Sequence, residues 1–124
     1  MGPLLPGAIH WHKVADNIAA INWNTENLSV FSIGERQLLL AKVNGKVYAC
    51  TNRCPHASGA FSQGFLDAQG NIVCPLHKYK FSLQNGLNVT GEGYRLKIYA
   101  VEERPSGIFV GIQEQGLSVL PEIG

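Results

Sequence analysis

Two short segments hold the residues best suited to chemistry: Cys54-Pro55-His56 and Cys74-Pro75-Leu76-His77. Each offers one thiolate and one imidazole, both good ligands for transition metals. In each, a proline follows the cysteine, removes one N–H and stiffens the loop where ligands must be held before a metal arrives. A zinc finger takes Cys-x2-4-Cys from one segment and His-x3-5-His from another, so one Cys and one His per segment suit a different division. If both cysteines hold one metal and both histidines a second, each loop straddles a binuclear centre. A mononuclear zinc site and two surface loops with incidental Cys and His are the alternatives; the zinc reading leaves the tight Cys-x-His spacing without a reason.

The loops need a scaffold, and the apolar runs around them are short and punctuated by single turn residues. The runs 38–43 and 46–50 flank Asn44-Gly45, a pair that tolerates positive φ at both positions and so predicts a two-residue hairpin. Further strands are expected over 9–14, 28–33, 71–73, 79–83, 94–101 and 108–112. In the run 94–101, Tyr94, Leu96, Ile98 and Ala100 alternate with Arg95, Lys97 and Tyr99, a period of two. Asn85-Gly86 and Pro105-Ser106-Gly107 supply turns. Helical periodicity is nowhere sustained, and 16–21 is the one stretch where a short helical turn competes. The fold class predicted is all-β, built from short antiparallel strands.

Composition narrows the function. With 124 residues, 45% hydrophobic and 15% charged, the chain is expected to form one domain over 1–124 with a core at 9–113 and an extension at 114–124, strand or loose tail. A formal charge of +1 gives no nucleic-acid-binding balance. No apolar run approaches the roughly 18 residues of a bilayer span, and the first residues lack a basic n-region, so a soluble, cytoplasmic protein without membrane contact is expected. Three cysteines, Cys50, Cys54 and Cys74, make a full disulfide framework a poor reading.

With Arg53 before the first ligand segment, Phe61-Ser62-Gln63-Gly64-Phe65-Leu66 after it, and Phe81-Ser82-Leu83-Gln84-Asn85-Gly86 after the second, the sequence resembles the Rieske ferredoxin family over roughly residues 9 to 113. The resemblance implies an antiparallel β-sandwich or barrel with two cluster-binding loops and one 2Fe-2S cluster. Cys54 and Cys74 would hold the buried iron, and His56 and His77 the outer iron through Nδ1.

Departures from the family matter too. Rieske proteins of respiratory and photosynthetic chains join the two loops by a disulfide; the corresponding positions here are Gly59 and Leu76. Those proteins also carry a Ser and a Tyr two and four residues after the second His, whose hydroxyls raise the potential. Here Tyr79 and Phe81 stand there, which resembles the low-potential ferredoxin branch. Lys78 occupies a position where the family usually has Gly; if that position needs positive φ, Lys78 is strained by about 1 kcal/mol or more.

The function implied is a one-electron carrier that passes electrons from a flavin reductase to a terminal oxygenase or other reductase. It is no enzyme alone, but a component of a multicomponent system. The alternatives are a regulatory or small subunit of a reductase complex, like the nitrite-reductase small subunit, and a redox sensor. Cys50 reads as core filler, and His10 and His12 as residues of a surface or edge strand. Arg53, Lys78 and Lys80 would form a basic collar for an acidic partner.

Overall fold

Asn44 and Gly45 adopt φ of 51° and 78°, and the hairpin they turn is the centre of the larger sheet. In the computed structural model, which describes residues 9–56 and 59–113, β3 (Arg36–Val43) and β4 (Lys46–Thr51) pair across this turn, from Val43 opposite Lys46 to Leu38 opposite Thr51. β1 (Ile9–Ala15), β2 (Leu28–Ile33), β8 (Ile98–Arg104) and β9 (Gly107–Gln113) complete a six-stranded antiparallel sheet in the order β1-β9-β8-β4-β3-β2. A second sheet, β5-β6-β7, is built from Phe65–Leu66, Ile72–Val73 and Lys80–Phe81. The all-β reading holds, and the expected extension at 114–124 lies outside the described residues.

β3 shows why the larger sheet sits in the middle of the molecule. Leu39 and Ala41 face one apolar cluster, while Leu38 and Leu40 face another, so all four are buried although a half-solvated strand would expose every second one. The first cluster joins the two sheets: Phe61, Ile72, Phe81 and Leu83 meet Leu28, Leu39 and Leu96 there, together with all three cysteines. The second lies on the opposite face and is closed by Ile21, Ile108, Val110 and Ile112. Truncating a residue such as Leu39 would cost about 2–5 kcal/mol.

The stretch 94–101 is not one strand. Arg95 makes a single bridge to Leu87, and the ladder begins only at Ile98, opposite Cys50. Residues 94–97 cross from the smaller sheet to the larger: Leu96 donates its amide to the Gly86 carbonyl, and the Lys97 carbonyl accepts from Thr51. A segment shared between two sheets cannot keep one ladder, although its side chains alternate. At Gly86 the backbone passes so close that a Cβ would lie 2.2 Å from the Leu96 carbonyl oxygen, at a φ of +79°. Over 16–21 the chain forms one 3-10 turn, Ile18–Ala20, capped by the Asn17 side chain at 2.9 Å.

Candidate metal centre

Both ligand segments are held by the same device. The Cys54 amide donates to the Gly59 carbonyl at 2.8 Å, and the Cys74 amide donates to the Tyr79 carbonyl at 2.8 Å. Each loop therefore closes over its own cysteine, and in each the histidine lies within the closed turn. The first leaves β4; the second joins β6 to β7. In the second loop His77 and Lys78 take φ of 63° and 61°, so Lys78 does occupy the left-handed conformation that glycine adopts without strain.

Sequence reasoning missed what holds the first loop. Asn52, the one buried polar side chain among the described residues, donates its Nδ2 to Gln37 Oε1 at 2.9 Å, and its Oδ1 accepts the Ser62 amide at 2.8 Å. Its backbone donates to Gln37 and accepts from Phe61. One side chain thus ties the start of β3 to the 3-10 turn Phe61–Gln63 on either side of the loop. No spacing rule marks such an asparagine, because its worth lies in being buried and fully paired.

Cys54 and Cys74 are buried, His56 is half-buried and His77 exposed. Ligand atoms of Cys54, His56 and Cys74 all lie within 4.8 Å of one another. His56 Nδ1 stands 3.2 Å from Cys54 Sγ, and its Nε2 stands 2.8 Å from His77 Nδ1. Burial first, and the neighbouring Cys54 next, push the Cys74 thiol up to about 11. The buried Cys74 thiol ionises poorly alone, and a bound cation reverses that penalty, so the donor set fits a metal centre. Cys50 has the burial but not the position: it sits on β4 within the same apolar cluster, outside the ligand group, with its thiol pushed up to about 12.

Aromatic rings surround the histidines. Tyr79 lies 4.2 Å from His56 between ring centroids, and Tyr94 stacks on Tyr79 at 6.0 Å. The basic collar is smaller than expected. Lys80 Nζ is 3.4 Å from the Asp67 carboxylate, whereas Arg53 and Lys78 are exposed without an ion pair among the described residues. His10 and His12 lie on β1, an edge strand, as expected.

The model of the Rieske 2Fe-2S domain matches residues 10–100. The chain belongs to this family. Among curated relatives, the ferredoxin component of the alkene monooxygenase system of Xanthobacter autotrophicus is 28% identical over 91 residues, 73% of this chain and 74% of that one. The ferredoxin subunit of 3-phenylpropionate/cinnamic acid dioxygenase of Shigella boydii is 33% identical over 81 residues, 62% of this chain and 74% of the relative. The ferredoxin of carbazole 1,9a-dioxygenase from Nocardioides aromaticivorans shares the fold, with a TM-score of 0.70 at 20% identity over 84% of this chain and 98% of that one. This Rieske protein is an electron carrier with a 2Fe-2S cluster as its cofactor. Among its described residues, no helix is long and apolar enough to cross a membrane.

Proposed function

We propose that Cys54 and Cys74 hold the inner iron of the cluster and His56 and His77 the outer one. The observation that carries this division is burial: both thiols lie inside the apolar cluster between the sheets, while His56 is only half-buried and His77 is exposed. When bound, the cluster takes up and releases one electron. The chain's own residues do the rest. The two closed loops set the ligand spacing, the apolar cluster keeps water from the sulfur side, and the exposed His77 edge brings the redox centre to the surface.

The electron passes to a terminal oxygenase and comes from a flavin reductase, in the cytoplasm, with residues 1–124 acting as one domain around the 9–113 core. The acceptor is supported by the two relatives, whose names place them in oxygenase systems. The absence of hydroxyls that could serve the sulfurs from Phe81 supports a potential toward the lower end of the roughly −150 to +300 mV Rieske window.

Anaerobic purification, followed by EPR of the dithionite-reduced protein, tests the ligand set. Replacing Cys54 or Cys74 by Ser is expected to abolish cluster assembly, and Cys50→Ser to keep it. A fully assembled cluster in Cys54→Ser refutes the assignment. Oxidation of the reduced protein by a purified Rieske oxygenase, followed by stopped flow, tests the acceptor.

A further inference from the structure

The loop between Asn88 and Tyr94 is organised around one side chain. Asn88 Nδ2 lies 3.0 Å from the Lys80 carbonyl, 3.0 Å from Thr90 Oγ1 and 2.9 Å from Glu92 Oε1. Its Oδ1 accepts the Glu92 amide at 2.8 Å and the Tyr94 amide at 3.4 Å. Lys80 is gripped from the backbone as well: its amide donates to Thr90 Oγ1 at 3.1 Å, and its carbonyl accepts the Val89 amide at 2.9 Å. Lys80 lies just beyond the second ligand loop, so the 88–94 loop is pinned to the segment that carries His77 and Tyr79.

The consequence is a layered contact. Tyr94 stacks on Tyr79 with 28° between ring planes, Tyr79 covers His56 at 4.2 Å, and Tyr94 approaches His56 edge-on at 5.8 Å. His77 stands farther from Tyr79, at 6.0 Å, and remains exposed. The two imidazoles are therefore unequal. We propose that Asn88 is a positioning residue whose loop holds Tyr94 against Tyr79 and so covers His56, leaving His77 as the open edge through which the electron passes. This rests on the ligand set proposed above.

Reduction adds one negative charge to the centre, and replacing water by two aromatic rings weakens the solvation of that charge. The cover therefore disfavours the reduced state, and solvent exposure is one of the recognised determinants of Rieske-type potentials. Removing it shifts the equilibrium toward reduction.

The test uses the full-length protein with its cluster, equilibrated with a redox dye and read by visible circular dichroism, with pulsed EPR reporting histidine nitrogens coupled to the reduced cluster. Tyr94→Ala and Asn88→Ala are expected to move the equilibrium constant several-fold toward the reduced form. Tyr94→Phe, which keeps the ring, restores the wild-type value, and Leu87→Ala, an exposed change beside the loop, leaves it within twofold. If Asn88→Ala does not assemble, Thr90→Val removes the hydroxyl that receives the Lys80 amide and takes its place. An unmoved equilibrium in Tyr94→Ala, with nitrogen coupling intact, overturns the cover. A shift in Tyr94→Ala with none in the anchor variant overturns the role of Asn88. Absence of histidine coupling in the wild-type protein overturns the ligand set and this proposal with it.

Discussion

Leu76 lies against Gly59 so closely that a Cβ on residue 59 would stand 3.0 Å from its Cδ1 and 3.1 Å from its Cγ, with Cys74 Sγ 3.4 Å away. The two ligand loops therefore meet where the disulfide-bearing Rieske proteins join theirs, but by an apolar contact across a missing side chain. A larger residue at 59 would press on Leu76 first and on the ligand Cys74 next.

The same contact predicts a disulfide. A cysteine at 76 would put its sulfur near the position of Leu76 Cγ, within reach of a second sulfur at 59 for an S–S bond of about 2.05 Å. Gly59→Cys combined with Leu76→Cys is expected to oxidise spontaneously in air and to raise stability by about 3 kcal/mol through closure of the intervening loop. Mass spectrometry after alkylation and denaturant melts with and without reductant check this. Two alkylatable thiols at 59 and 76 in the aerobic protein would contradict the geometry.

Lys78, at a φ of 61°, holds a conformation that costs an L-residue about 1–2 kcal/mol. Lys78→Gly removes that strain but gains unfolded-chain entropy, so a net stabilisation of about 0.5–1 kcal/mol is expected. Lys78→Val, with a β-branched side chain in the same conformation, is expected to destabilise. Denaturant midpoints of the cluster-loaded proteins separate the three.

These two sites show how far the residues could be read in advance. The Asn44-Gly45 hairpin, the apolar runs on either side of it and the paired Cys-Pro segments with their histidines are local signals, each contained within a few residues, and each corresponds to a feature of the structure. The strain at Lys78 also follows from one position. What escaped is non-local. Residues 94–97 alternate like a strand but serve two sheets, and the two-residue strand Phe65–Leu66 is too short to show any period. Asn52 and Asn88 matter through what they touch 10 to 15 residues away or across a turn, and an asparagine in a loop carries no mark of that in the sequence.

Asp67 gives stability a pH dependence. Burial raises its carboxyl, but hydrogen bonds from the Asn71 amide and side chain, the Gln69 amide and Lys80 outweigh this and leave it below the ordinary carboxylate value. A group depressed in the folded state stabilises fully above its unfolded pKa of about 3.9 and loses that contribution as pH falls through its lower folded value. Asp67→Asn should therefore be less stable than wild type at neutral pH, and the gap should narrow as pH drops below about 4. Urea midpoints measured from pH 7 downward check the sign; a gap that widens in acid would be the wrong one.

The lysines on either side of Tyr79 have different work. Lys80 lies 3.4 Å from Asp67, whereas Lys78 is exposed with no ion pair among the described residues. Charge at an exposed position acts chiefly on encounter with a partner, and salt screens it with a Debye length of about 8 Å at physiological ionic strength. Lys78→Glu is thus expected to slow association with an acidic acceptor surface and flatten or reverse its salt dependence, with stability lowered only modestly. Lys80→Glu is expected to do the opposite, setting a second carboxylate against Asp67, lowering the urea midpoint and leaving the encounter rate nearly unchanged at high salt. Stopped-flow transfer to the acceptor across a salt series, beside the denaturation curves, resolves the two. Equal salt slopes in Lys78→Glu and wild type would remove Lys78 from the docking surface and leave Arg53 and the neutral Pro55, Pro75 and Leu76 around the exposed His77 edge as the surface a partner meets.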